Sequence, residues 1–74
     1  MPHISIKHFP VYLSSDDINE IVNEISNLIQ QKFNCSSEVI SISMEEINKE
    51  SWEKSVYYPE IIIKEHLLIK RPSY

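Results

Sequence analysis

Residues 14–34 read SSDDINEIVNEISNLIQQKFN. Ile18, Ile21, Val22, Ile25, Leu28, Ile29 and Phe33 recur at the spacing of one helix face, with Asn19, Glu20, Asn23 and Gln30 opposite. Ser14 or Ser15 suits the N-cap, because a hydroxyl there accepts from the orphan amides of the first turn. Asp16 and Asp17 face the positive helix end. Asn34 tolerates the left-handed conformation that closes a helix. The stretch therefore predicts one long amphipathic helix ending near Asn34.

On its N-terminal side, residues 3–9 alternate Ile4 and Ile6 with His3, Ser5 and Lys7, the period-2 pattern of a strand with one apolar face. Pro10 cannot donate to a ladder and ends it. On the other side, Ile40, Ile42 and Met44 alternate with Ser41 and Ser43, predicting a second strand over about 38–45. Strand, helix and strand form a β-α-β unit, which should be parallel and right-handed. The helix should cover Ile4, Ile6, Ile40 and Ile42. The opposite face is polar and should be at least partly wet. Two strands are not stable alone, so a second copy of the chain is the economical source of further sheet.

The last third is less regular. Asn48–Trp52 reads as a loop with a helical turn. Pro59 suits the first turn of a final helix over about 59–70, which Pro72 follows. Its Ile61, Ile62, Ile63, Leu67, Leu68 and Ile69 wrap around more than one face, predicting cover from both the subunit and a partner.

Composition excludes several classes. The chain is 74 residues long, room for one domain over 1–74. A chain of this size buries only about 60% of its unfolded surface and often oligomerises. The net charge of −4, with no basic stripe, argues against nucleic acid. No apolar run approaches the roughly 20 residues of a membrane helix. No signal peptide is legible, and the single Cys35 suits a reducing cytoplasm. Glycine is absent, which removes Gly-based phosphate loops and dinucleotide fingerprints. His3, His8 and His66 lack metal-ligand spacing, so no metal is expected.

The most distinctive residue is Pro2. An aminopeptidase normally removes an initiator Met that precedes a small residue. Loss of Met1 leaves Pro2 as a secondary amine at the tip of a strand, held rigidly by its own ring. An α-amino group titrates closer to neutrality than a lysine, which suits a general base. An apolar pocket lowers its pKa further by desolvating the charged form, and Trp52 with Phe9 could supply that pocket.

Several segments together resemble the tautomerase superfamily, specifically its 4-oxalocrotonate tautomerase family of short subunits. They are Met1-Pro2-His3-Ile4, Ile6-Lys7, Phe9-Pro10, Ser41-Ile42-Ser43, Glu50-Ser51-Trp52 and the tail Leu68–Tyr74. The resemblance covers nearly the whole chain. It implies an α+β fold with a parallel strand pair, one long helix across one face, a short C-terminal helix and a sheet extended by a second subunit. It implies a cofactor-independent keto–enol tautomerase in which Pro2 is the catalytic base and acid. The substrate implied is a small enol or keto acid, such as an enolpyruvate or 2-hydroxydienoate. Substrate-binding positions fall on Trp52, Ile40, Tyr12 and His8. Members that process dicarboxylates use two arginines, which fall near Val11 or Tyr12 and near Ile40. This chain has neither, so an apolar or aromatic monoacid such as phenylenolpyruvate suits it better, its carboxylate held by Lys7, His8 or backbone amides. Hexameric members end in a Gly-rich hairpin, so this Gly-free chain should be a homodimer. The missing arginines also suggest an alternative, a decayed site on a homodimeric interaction protein.

Overall fold

The computed structural model describes all of residues 1–74. Strand β1 (His3–His8), helix α1 (Ser15–Phe33) and strand β2 (Ser41–Glu46) follow in chain order. The strands pair in parallel, with His3 opposite Ser41, Ile4 opposite Ile42, Ile6 opposite Met44 and Lys7 opposite Glu45. This is the β-α-β arrangement expected from the alternating and helical periodicities.

Helix α1 starts and stops for local reasons. The Asp17 N–H donates to Ser14 Oγ at 3.0 Å, and the Ser14 N–H donates to the Asp17 carboxylate at 3.0 Å. This reciprocal capping box satisfies two otherwise orphaned donors. Asn34 closes the helix at φ 52°, and its N–H donates to the Gln30 carbonyl. Replacing Ser14 with alanine should cost about 1 kcal/mol. A lower urea midpoint with an unchanged slope is the expected result; an unchanged midpoint would show that the cap contributes nothing.

Ile21, Ile25 and Ile29 lie half-buried along α1, as do Ile4, Ile6, Ile42 and Met44 of the sheet. They form the apolar layer between helix and sheet. Ile18, Val22, Leu28 and Phe33, on the same helical stripe, stay exposed. The stripe is wider than two strands can cover. The other sheet face is wet at His3, Ser5, Ser41 and Ser43.

Two boundaries differ from the sequence expectation. The segment before β2 is a 3-10 turn over Ser37–Val39, so the strand starts at Ser41 rather than near residue 38. The Glu38 N–H donates to Ser36 Oγ at 3.2 Å, which favours the turn over extension. Ile40 therefore precedes the strand instead of lying within it.

The last helix is also displaced. It runs over Glu53–Ile62 as a π-helix with Pro59 inside, rather than over 59–70 with Pro59 in its first turn. The Ile63 N–H donates to the Tyr58 carbonyl at 3.0 Å, a five-residue step. In an α-helix the Pro59 ring would collide with the carbonyl four residues earlier; a wider winding relieves that clash. A 3-10 turn at Glu65–Leu67 follows, and Leu68–Tyr74 has no regular structure.

Val56 is the sole buried residue, 6% exposed. The accessible surface is 6194 Å² for 8.7 kDa, whereas a compact monomer of that mass exposes about 4,700 Å². The radius of gyration, 14.1 Å, exceeds the roughly 11 Å of a compact chain this long and approaches the roughly 15 Å of one twice its length. The subunit is a slab of 36 × 32 × 19 Å. No helix is long and apolar enough to cross a membrane.

Candidate functional site

Pro2 stands at the head of β1, half-buried, and its carbonyl accepts from the Ser41 N–H at 3.2 Å. The ladder thus begins at Pro2 itself. Extending the register back one step from His3 and Ser41 sets Pro2 beside Ile40. On the other face, His3 Nδ1 lies 2.6 Å from Ser41 Oγ. The Pro2 carbonyl is engaged in the ladder, while the Pro2 nitrogen is acylated by Met1. Met1 is 100% exposed. While it remains, the Pro2 nitrogen is an amide without basicity.

Three aromatic residues gather at the opposite end of β1. Phe9 follows the strand, and its ring meets Trp52 edge to face, centroids 4.9 Å apart and planes at 83°. Tyr74 completes an open recess of about 530 Å³ lined by these three rings. Edge-to-face contact suits the quadrupoles of two rings and holds Trp52 in place.

β1 has six residues, which span about 20 Å, and that distance separates Pro2 from the recess within one subunit. His8 lines a different depression, on the α1 side, with Val11, Leu13, Ile18, Met44 and Glu46. Its Nδ1–H donates to the Phe9 carbonyl at 2.7 Å, which leaves Nε2 as the ring's free nitrogen. Tyr12 is 87% exposed and lines no recess. The residues singled out from sequence therefore fall into separate groups. Pro2 and Ile40 meet at one end of β1 and Trp52 lies at the other; His8 shares the Trp52 end but lines a separate depression on the α1 side, and Tyr12 lines none. Tyr74 is the lining residue sequence reasoning missed. Nothing local marks it; the one clue is an aromatic residue in a tail otherwise rich in charge and proline.

Two of the seven cationic side chains, Lys7 and Arg71, are held in ion pairs. Lys7 Nζ donates to Glu60 at 2.5 Å, joining β1 to the π-helix, with the two side chains 29% and 37% exposed. Lys7 is thereby spoken for and is a poor holder of a substrate carboxylate. Arg71, the sole arginine, pairs with Glu65. No cluster of His, Cys, Asp and Glu is arranged to hold a metal.

The hydrogen bond to Glu60 raises the Lys7 pKa above its ordinary 10.5; partial burial opposes this, and the charges of Glu60 and Glu45 add to the rise. A raised folded-state pKa contributes stability that is full below the unfolded value and lost as pH climbs through the folded one. The wild-type thermal midpoint should therefore fall above pH 10.5 more steeply than that of Glu60→Gln. Parallel alkaline profiles for the two proteins would contradict this.

No family model matches the chain. Tautomerase PptA of Pectobacterium atrosepticum is 38% identical over 76 residues, spanning 100% of this chain and 97% of the relative. Tautomerase PptA of Escherichia coli is 36% identical over 74 residues with the same coverage. Tautomerase PptA of Enterobacter sp. is 32% identical, again over 100% of this chain and 97% of its own length.

Proposed function

The chain belongs to the tautomerase superfamily, in the 4-oxalocrotonate tautomerase-like family with the PptA proteins, and from that premise we propose that it is a cofactor-independent keto–enol tautomerase with Pro2 as its base and acid. Loss of Met1 frees the Pro2 amine. The amine takes the proton of an enol hydroxyl. The electron pair of the C=C bond then accepts a proton from the Pro2 ammonium at carbon, leaving a keto acid and regenerating the amine. No electron leaves the substrate, so no redox partner is required. An α-amino group has an ordinary pKa of about 8, near the operating pH where acid–base exchange is most efficient.

The observation that carries the reading is the placement of Pro2, whose carbonyl anchors the ladder while its nitrogen bears only an exposed Met1. The substrate we assign is an apolar or aromatic enol monoacid. A diacid needs a second cation, and Tyr12 and Ile40 offer none, while Arg71 is tied to Glu65. The working form is a cytoplasmic homodimer. A two-fold axis across a sheet edge sets equivalent strands antiparallel. The Pro2 end of one subunit then lies beside the Phe9–Trp52 end of its partner, closing the 20 Å gap within each chain. The exposed half of the α1 stripe and the excess accessible surface support this assembly.

The test is phenylenolpyruvate ketonisation, followed by ultraviolet absorbance, on protein whose mass lacks Met1. A rate well above buffer supports the reading. A rate equal to buffer overturns it for this substrate class and favours a binding protein on the same fold.

A further inference from the structure

We propose that Tyr74 is a specificity-determining residue, the third wall of a recess that receives the aryl ring of a small carboxylic acid. The inference rests on the proposed tautomerase reading only for the enol end of the ligand. The recess itself is lined by Phe9, Trp52 and Tyr74 alone, with a volume of about 530 Å³, inside the usual range for small-molecule sites. No charged side chain lines it, so it selects by apolar contact and shape. An acid group must point out of it, toward solvent or a partner subunit. A phenyl ring entering between Phe9 and Trp52 meets π-faces and edges already set at 83° to one another, the arrangement aromatic groups prefer.

Phe9 and Trp52 flank regular structure, one residue past the end of β1 and one residue before the π-helix. Tyr74 is held differently. It lies in the irregular segment Leu68–Tyr74 and rests against Tyr57 of the π-helix, ring centroids 5.8 Å apart at 39°. Half-buried Pro72 and the Arg71–Glu65 pair fix the approach of that segment. Removing the Tyr74 ring leaves two walls standing and opens the third side to water. A short alkyl acid, which cannot reach all three rings, loses little by this; an aryl acid loses a stacking partner.

The experiment uses 3-phenylpropanoate, an aryl acid with no enol or keto group to react, and butanoate as the short-chain control. Binding is read from the fluorescence of Trp52, the sole tryptophan, in the full-length protein. Tyr74→Ala should weaken 3-phenylpropanoate about tenfold, the equivalent of one aromatic contact. Tyr74→Phe should stay within about twofold of wild type, because the ring and not the hydroxyl forms the wall. Butanoate should bind weakly and equally to all three proteins. In ketonisation, Tyr74→Ala should raise KM for phenylenolpyruvate and spare kcat. Equal 3-phenylpropanoate affinity in wild type and Tyr74→Ala would overturn the proposal, as would a wild type that binds butanoate equally well. The binding assay runs unchanged in Pro2→Ala. A failure of proline catalysis with intact aryl binding is thus distinguishable from a failure of the recess.

Discussion

Pro2→Ala is expected to lower phenylenolpyruvate ketonisation by about 10²- to 10⁴-fold, the usual cost of losing a positioned general acid–base group. The variant is a stringent one because alanine still presents an α-amine after Met1 is removed. What it loses is the ring, which makes the nitrogen a secondary amine and fixes its direction at the strand tip. The Pro2 carbonyl contact to Ser41 is a backbone interaction that alanine keeps, so the fold should survive. Circular dichroism and the thermal midpoint provide that control. Equal rates in wild type and variant would remove Pro2 from the mechanism. Protein retaining Met1 should behave like the variant or worse, since its nitrogen is an amide.

The second large effect concerns two inactive proteins made active by mixing. Trp52→Ala strips the edge-to-face partner from Phe9 and opens the recess, so it should cripple the rate on its own. If each site takes Pro2 from one subunit and Trp52 from the other, a mixed dimer of Pro2→Ala and Trp52→Ala chains has one doubly altered site and one intact site. Refolding equal amounts together makes half of the dimers mixed, so about a quarter of wild-type activity should return. Mixing the folded variants without denaturation, under conditions that block subunit exchange, should return nothing. No recovery after joint refolding would mean that Pro2 and Trp52 do not share a site across the interface.

Much of the fold was legible because its signals are local. The Ser14–Asp17 capping box, the isoleucine stripe of α1 and the αL residue Asn34 are all written within one segment. Alternation at Ile4 and Ile6, and at Ile42 and Met44, was enough to pair the strands. The π-helix was not legible. Proline has one common helical position, the first turn, and that rule places Pro59 at a helix start. Its actual place inside the helix depends on a wider winding, which no residue pattern encodes.

The site was legible in parts. The role proposed for Pro2 rests on its position next to Met1, and Phe9 and Trp52, expected together as an apolar pocket around Pro2, do meet each other. The separation of Pro2 from that pair was not legible. It is set by the length and direction of β1, which puts two named residues at opposite ends of one strand. Tyr74 was hidden for a related reason: its neighbours in the recess, Phe9 and Trp52, are brought to it by tertiary structure alone.

That Val56 is the single buried residue has a consequence for how the protein is made. A chain with so little interior has no reservoir of stability as a monomer, so in the proposed dimer folding and association are one second-order event. Its melting temperature should then climb with dilution reversed, rising as the sample is concentrated. In a cell, the expression level would set the folded fraction by mass action. A newly synthesised chain would wait, exposed to proteases and chaperones, until it met another of its kind.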